Sequence, residues 1–291
     1  MPELPEVETI TKDLNQKVLN RTFIDVWTDT KKIIKKPKSF KDFKREIKGK
    51  KIKKIWRRGK NIIFELSKNY SLLIHQKLTG HLLYGKWNKK NGMWEPESNN
   101  FLKDKINTYL HLVFFLDNKK MLALSDLRKF AKVELWETED LKKSKQLNEL
   151  GPEPLEKGFT FFKFKEILKN KKGKIKQLLM DQKIIAGIGN IYSDEILWRS
   201  KIHPLKDVSK LNEEELKKIY QNIKKVLKKA IQLRGESFSD FRDLEGKKGF
   251  FDKERKVYQR EGENCFQCQT KIRRIKMGGR SAYFCPFCQK V

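Results

Sequence analysis

Met1-Pro2-Glu3-Leu4-Pro5-Glu6-Val7-Glu8-Thr9-Ile10-Thr11-Lys12-Asp13-Leu14-Asn15-Gln16 opens the chain. Val7, Ile10 and Leu14 recur at helical spacing, which predicts a helix from about Pro5 to Gln16. Pro5 suits an early helical position, where a missing N–H costs nothing. The helix then begins beside Pro2 and Glu3, and its positive end favours carboxylates and disfavours a protonated amine. Removal of Met1 leaves Pro2 as a secondary amine with an ordinary pKa of about 7.7–8.0. Such an amine can attack a sugar carbon and form a cationic Schiff base. Glu3 and Glu6 stand next to it as acid/base groups.

The chain has 291 residues and a formal charge of +30. A charge of that size calls for a polyanionic partner, and nucleic acid comes first. The competing reading is a composition bias toward lysine. Between Lys31 and Lys60 sixteen Lys and Arg face only Asp42 and Glu46, and part of that run is a solvated face. Hydrophobic residues make up 38%, enough for modest cores in two domains or two plus an appendage. A mean hydropathy of −0.72 and the lack of a long apolar run argue against a transmembrane helix. The N-terminus shows no basic segment followed by an apolar one, so a cytoplasmic protein without membrane partners is expected.

All four cysteines lie late, as Cys265-Phe266-Gln267-Cys268 and Cys285-Pro286-Phe287-Cys288. Two Cys-x-x-Cys pairs sixteen residues apart match tetrahedral zinc spacing. Two disulfides would suit a secreted chain better. Four thiolates leave no open coordination position, so one structural Zn2+ is expected.

From Ile52 to Trp136 short β-rich runs dominate. Asn61–Leu66, Leu72–His75, Tyr109–Leu116, Met121–Leu124 and Lys132–Trp136 read as strands of an antiparallel sandwich, with a hairpin turn at 117–120. The stretch 86–105 reads as a long irregular loop. Residues 138–155, ending near Gly151-Pro152-Glu153-Pro154, read as a linker. Helices are then predicted at Phe161–Leu168, Ile175–Met180, Ile191–Arg199 and Asn212–Leu233. In the last, Asn212 and Glu215 form a capping pair, and Leu216, Ile219, Ile223, Leu227 and Ala230 form the apolar stripe.

Four pieces stand in order along the chain. They are Pro2-Glu3, Arg57-Arg58-Gly59-Lys60, the run Asp181-Gln182-Lys183 to Gly187-Ile188-Gly189-Asn190-Ile191-Tyr192, and the four-cysteine module. Together they closely resemble the bacterial formamidopyrimidine-DNA glycosylases (MutM/Fpg). The sibling endonuclease VIII glycosylases typically begin Pro-Glu-Gly-Pro-Glu, so Leu4 and Val7-Glu8-Thr9 favour the formamidopyrimidine branch. A third reading is a zinc-containing DNA-binding protein that has lost catalysis.

The resemblance implies an α+β multidomain fold. Its parts are an antiparallel β-sandwich with an N-terminal helix (1–137), a linker (138–155), a helix–two-turn–helix domain (156–250) and a zinc-finger β-hairpin (251–291). It implies a monomer that acts on double-stranded DNA containing oxidised bases. Such an enzyme excises 8-oxoguanine and formamidopyrimidines and cleaves the strand by β,δ-elimination. Residue by residue, Pro2 matches the nucleophile, Glu3 the acid/base residue, Glu6 a second motif carboxylate and Lys60 the active-site lysine. Arg280, in Gly278-Gly279-Arg280-Ser281, matches a phosphate-binding arginine at a hairpin tip. Asn190, Lys176, His75 and Tyr258 match contacts to the DNA backbone. Leu78, Arg128 and Phe130 match the side chains that fill the duplex once a base is flipped out. Leu78 stands where the family usually has methionine. For Leu78 and Phe130 the competing reading is core packing. The stretch 236–241 corresponds to the lesion-capping loop, preceded by Arg234-Gly235 in place of the common double glycine.

Overall fold

The computed structural model describes residues 1–97, 100–237 and 240–290, without the side chain of Asn100. The chain packs as two compact units. One comprises Met1–Asn148 with Leu233–Asp252, the other Glu149–Gln232 with Lys253–Val291. The segment 233–252, expected with the helical domain, therefore packs with the N-terminal one.

In the first unit helix α1 (Leu4–Lys17) precedes strands β1 (Phe23–Thr28) and β2 (Ile34–Lys36) and helix α2 (Phe40–Ile47). Strands β3 (Ile52–Arg58), β4 (Asn61–Leu66), β5 (Tyr70–His75) and β6 (His81–Gly85) follow. The small hairpin β7 (Trp87–Lys90) and β8 (Met93–Pro96) leads to β9 (Leu110–Leu116), β10 (Met121–Ser125) and β11 (Lys132–Glu137). One sheet runs β1-β9-β10-β6 and the other β2-β11-β5-β4-β3. Named pairs in both are antiparallel except β2 with β11, which is parallel. The inward faces alternate as strands demand. Phe114, Leu122 and Leu124 of one sheet and Ile62, Phe64, Ile74 and Val133 of the other form one buried core with Val7, Ile10 and Leu14 of α1.

Two expectations need correction. The stretch 86–105 is not irregular throughout, because Trp87 is buried and anchors the β7–β8 hairpin. The start of the expected linker folds into helices α3 (Thr138–Lys143) and α4 (Lys145–Asn148), which bury Leu141 and Leu147.

The second unit holds helices α5 (Phe161–Leu168), α6 (Ile175–Met180), α7 (Asn190–Ser200) and α8 (Glu213–Gln232). Asn212 caps α8. Its Oδ1 accepts from the Glu215 amide at 2.9 Å, and Glu215 accepts from the Asn212 amide at 3.1 Å. Ile219, Ile223, Val226, Leu227 and Ala230 are buried along α8. Strands β12 (Arg273–Met277) and β13 (Arg280–Phe284) form the C-terminal hairpin.

Candidate functional site

At the start of α1 the Glu6 carboxylate folds back and accepts from the Glu3 amide at 2.7 Å. Its other oxygen accepts from the Glu236 amide at 2.8 Å. Pro2, Glu3 and Glu6 are all buried. With Met1 present the Pro2 nitrogen is an amide, and the terminal amine belongs to Met1. Burial pulls that amine below its ordinary pKa, while the charges of Glu3 and Glu6 oppose the shift. Lys60 lowers it further through its own charge. Lys60 is buried in the two-residue turn between β3 and β4, where Gly59 takes φ +56°. Both carboxylates and the lysine thus act on the Met1 amine, one residue before Pro2. Phe238 and Ser239, in the stretch matched to the lesion-capping loop, lie outside the described residues.

The loops after β5 and β10 are joined by Asp126, which is buried. Its carboxylate accepts from the Phe130 and Ala131 amides, each at 2.7 Å, and from the Thr79 hydroxyl. Thr79 in turn accepts from the Arg128 amide at 3.1 Å. Leu78 and Phe130 point outward, 38% and 48% exposed, so core packing does not account for either. The Arg128 guanidinium lies 4.8 Å over the Phe130 ring. Asp126 and Thr79 escaped the sequence reading. An acid at the end of a strand, just before Leu127-Arg128-Lys129-Phe130, was the available signal.

His75 lies at the end of β5 and its Nδ1 accepts from the Lys77 amide at 3.0 Å. Burial, with Lys77, Lys60 and Lys132 adding to it, pushes its pKa down to about 3. At neutral pH it is uncharged, with Nε2–H as its donor, so it can offer a phosphate a hydrogen bond but no charge.

In the second unit Gln182 shapes the glycine turn. It donates to the carbonyls of Met180 and Ile188 at 2.9 and 2.7 Å and accepts from the Gly187 amide at 2.9 Å. Asn190 follows as the first residue of α7, behind the extended Gly189. Its side-chain oxygen is buried with no hydrogen-bond partner among the described residues.

Lys176 is a correction. It is fully buried, with its ammonium 2.6 Å from Asp194 and 2.9 Å from the Ser281 carbonyl. It braces the hairpin from below and presents no charge to a DNA backbone. Burial pushes the Asp194 carboxyl up to about 7, against the pull of Lys176 and the Tyr283 amide. The neighbouring Glu195 accepts from the amides of Lys256, Val257 and Tyr258. The Tyr258 ring packs edge-on against Tyr283 at 5.3 Å. Asp194-Glu195 also escaped the sequence reading, although two consecutive acids in an apolar helix were visible.

Gly278 and Gly279, at φ +54° and +74°, turn β12 into β13. Arg280 stands exposed just past the turn, its guanidinium 3.9 Å from the Met180 sulfur. Behind it the four cysteine sulfurs lie within 4.8 Å of one another, with separations of 3.4, 3.4 and 4.0 Å for three pairs. Tetrahedral zinc with bonds of about 2.3 Å needs sulfurs about 3.8 Å apart. The donor set therefore fits one Zn2+ held by Cys265, Cys268, Cys285 and Cys288. A closed four-sulfur site supplies folding stability, not a reacting metal.

A sandwich fronted by an amine-bearing helix, a helical unit and a four-cysteine hairpin define a zinc-finger DNA glycosylase. Family models match the chain as the formamidopyrimidine-DNA glycosylase N-terminal domain at 1–133, its H2TH domain at 150–242, and the zinc finger found in FPG and IleRS at 262–291. The formamidopyrimidine-DNA glycosylase of Pelotomaculum thermopropionicum is 38% identical, with 100% of each chain covered. That of Ligilactobacillus salivarius is 38% identical over 100% of this chain and 99% of its own. The Lactococcus lactis FPG (MutM), solved with Fapy-dG-containing DNA, superposes with a TM-score of 0.86 at 32% identity, covering 99% of this chain and 100% of its own. The chain belongs to the formamidopyrimidine-DNA glycosylase family.

Proposed function

We propose that this chain, freed of Met1, excises 8-oxoguanine and formamidopyrimidines from double-stranded DNA as a cytoplasmic monomer and then cleaves the strand. The observation that carries the reading is the shared burial of Pro2, Glu3 and Glu6 at the start of α1, with Glu6 held on the Glu3 amide. The Pro2 nitrogen attacks C1′, the bond to the base breaks with its electron pair leaving on the base, and the proton the amine gives up neutralises the departing base. Glu3 protonates the opening ring oxygen, and an iminium links Pro2 to the sugar. Loss of the C2′ proton then expels the 3′ phosphate, a second elimination expels the 5′ phosphate, and water releases Pro2. Glu6 orients the segment through the Glu3 amide, and Lys60 pairs with a phosphate beside the lesion. Asn190, Arg280, Tyr258 and neutral His75 hold the backbone, while Leu78, Arg128 and Phe130 fill the gap left by the flipped base. A relative from Lactococcus lactis was solved with abasic-site DNA, and MutM with DNA containing carbocyclic 8-oxo-G.

Borohydride trapping on an 8-oxoguanine duplex tests the reading. A cross-link through the N-terminus is expected, weakened in Pro2→Gly and abolished by a blocked N-terminus. A cross-link through an internal lysine alone sinks it. Faster excision of thymine glycol than of 8-oxoguanine moves the chain to the pyrimidine-specific branch.

A further inference from the structure

Trp198 lies two residues before the end of α7, 4% exposed, and packs in one cluster with Cys265, Ile272, Tyr283 and Cys285. Its indole N–H is buried and meets no hydrogen-bond partner among the described residues. A buried indole N–H usually finds an acceptor, so this one calls for an explanation. The acceptor beside it is the Cys265 sulfur. A neutral thiol accepts weakly, whereas the thiolate that binds zinc accepts strongly. The indole N–H is therefore placed to gain its partner when Cys265 ligates metal.

The second cysteine pair is tied to the same helix. Gln289 is 1% exposed, and its Oε1 accepts from the Cys285 amide at 2.9 Å. Its Nε2 donates to the Ile202 carbonyl at 2.8 Å. The Gln289 amide closes the turn from Cys285 to Cys288 by donating to the Cys285 carbonyl at 3.0 Å. Ile202 follows Lys201, which ends α7 in the left-handed conformation at φ +58°. The Ile202 amide reaches back to the Leu197 carbonyl at 3.0 Å, so Gln289 hangs on the C-terminal cap of the helix. Beside it the His203 ring meets Phe284 edge-on at 4.5 Å. Four thiolates fill a tetrahedral site, and an indole N–H has no lone pair to offer. Trp198 and Gln289 can therefore act only on the ligands, one on a sulfur and the other on a backbone turn.

We propose that Trp198 and Gln289 are positioning residues for zinc, fastening each Cys-x-x-Cys turn to the end of α7. Zinc retention and the order of α7 then form one equilibrium, because metal that fixes the sulfurs also fixes the helix that begins at Asn190. The proposal concerns the hold on the metal and does not depend on which base is excised.

The test uses the full-length chain loaded with Zn2+, or with Co2+ in its place, as wild type and as Trp198→Phe, Gln289→Met and Ile272→Val. Phenylalanine keeps a ring in the cluster and removes the N–H. Ile272→Val trims the same cluster without touching either link, and so reports the effect of packing alone. Zinc affinity is measured by competition with a chromophoric chelator. Loss of a partner that orients a ligand weakens metal binding about 10- to 100-fold, so Trp198→Phe and Gln289→Met should each lose at least about tenfold, and Ile272→Val less. A sulfur relieved of a hydrogen bond gives up its electrons more easily. The sulfur-to-Co2+ charge-transfer band should therefore move to lower energy in Trp198→Phe and stay in place in Gln289→Met and Ile272→Val. Stripping zinc from the wild type should speed hydrogen exchange along α7. The proposal is overturned by an unmoved band in Trp198→Phe, by zinc affinity in either variant no weaker than in Ile272→Val, or by α7 exchange that zinc removal leaves unchanged.

Discussion

In the first unit the buried Glu6 gives one oxygen to the Glu3 amide and the other to the Glu236 amide, whereas in the second unit the buried Asp194 faces an ammonium with one oxygen and the Tyr283 amide with the other. An amide-bound carboxylate fixes the backbone around it. A buried ion pair forms a floor, and its charges are consumed in doing so. The same residue types therefore support chemistry in one unit and architecture in the other, and substitutions should separate the two uses.

The largest expected effect is on chemistry in the first unit. Glu3→Gln removes the proposed proton donor and should slow excision about 100- to 10,000-fold, as loss of a general acid does. The weaker helix cap should cost no more than about 1 kcal/mol in a urea melt. A stability loss that accounts for the missing activity would erase the contrast. Next comes the floor of the second unit. Lys176→Met strands Asp194 and should destabilise that unit by about 3–5 kcal/mol, part of which Lys176→Met/Asp194→Leu recovers. Unchanged melting with weaker DNA binding would return Lys176 to the phosphate contacts expected from sequence.

The smallest effect is a pH dependence. His75 titrates near 3 in the fold, and burial also lowers His81. Unfolded histidine titrates near 6.5, so below that value the unfolded chain takes up protons that the folded chain refuses. Stability is therefore full above about pH 6.5 and falls as the pH drops toward 3. Each such histidine costs at most about 1.4 kcal/mol per pH unit, or about 2–5 °C in Tm for a unit of this size. The slope should flatten in His75→Gln, as calorimetry at pH 6.5 and 5.5 can show.

Local signals were legible where burial follows a short period. Phe161–Leu168 and Ile175–Met180 begin and end as their spacing indicates, and the capping pair of α8 is present. Strand β2 and helix α2 were obscured because lysines around their buried Ile34 and Phe43 swamp the apolar pattern, while β1, which carries no lysine, alternates too weakly between buried and exposed positions to stand out. The parallel pairing of β2 with β11 joins residues about a hundred positions apart, which no local pattern encodes. The same holds at the site. The cysteines announce themselves by spacing. The burial of Lys176 depends on Asp194 and Ser281, and the ion pair of Arg234 on Asp13, none of them sequence neighbours.

Asp126 has a consequence for motion. Because one carboxylate holds Thr79 beside Leu78 and the amides of Phe130 and Ala131, neither loop can rearrange while the other stays put. Leu78 and Phe130 should therefore advance and withdraw together, as a single step with one barrier. Any motion of the two exposed side chains would then carry one rate, set by the strength of a single acid's grip.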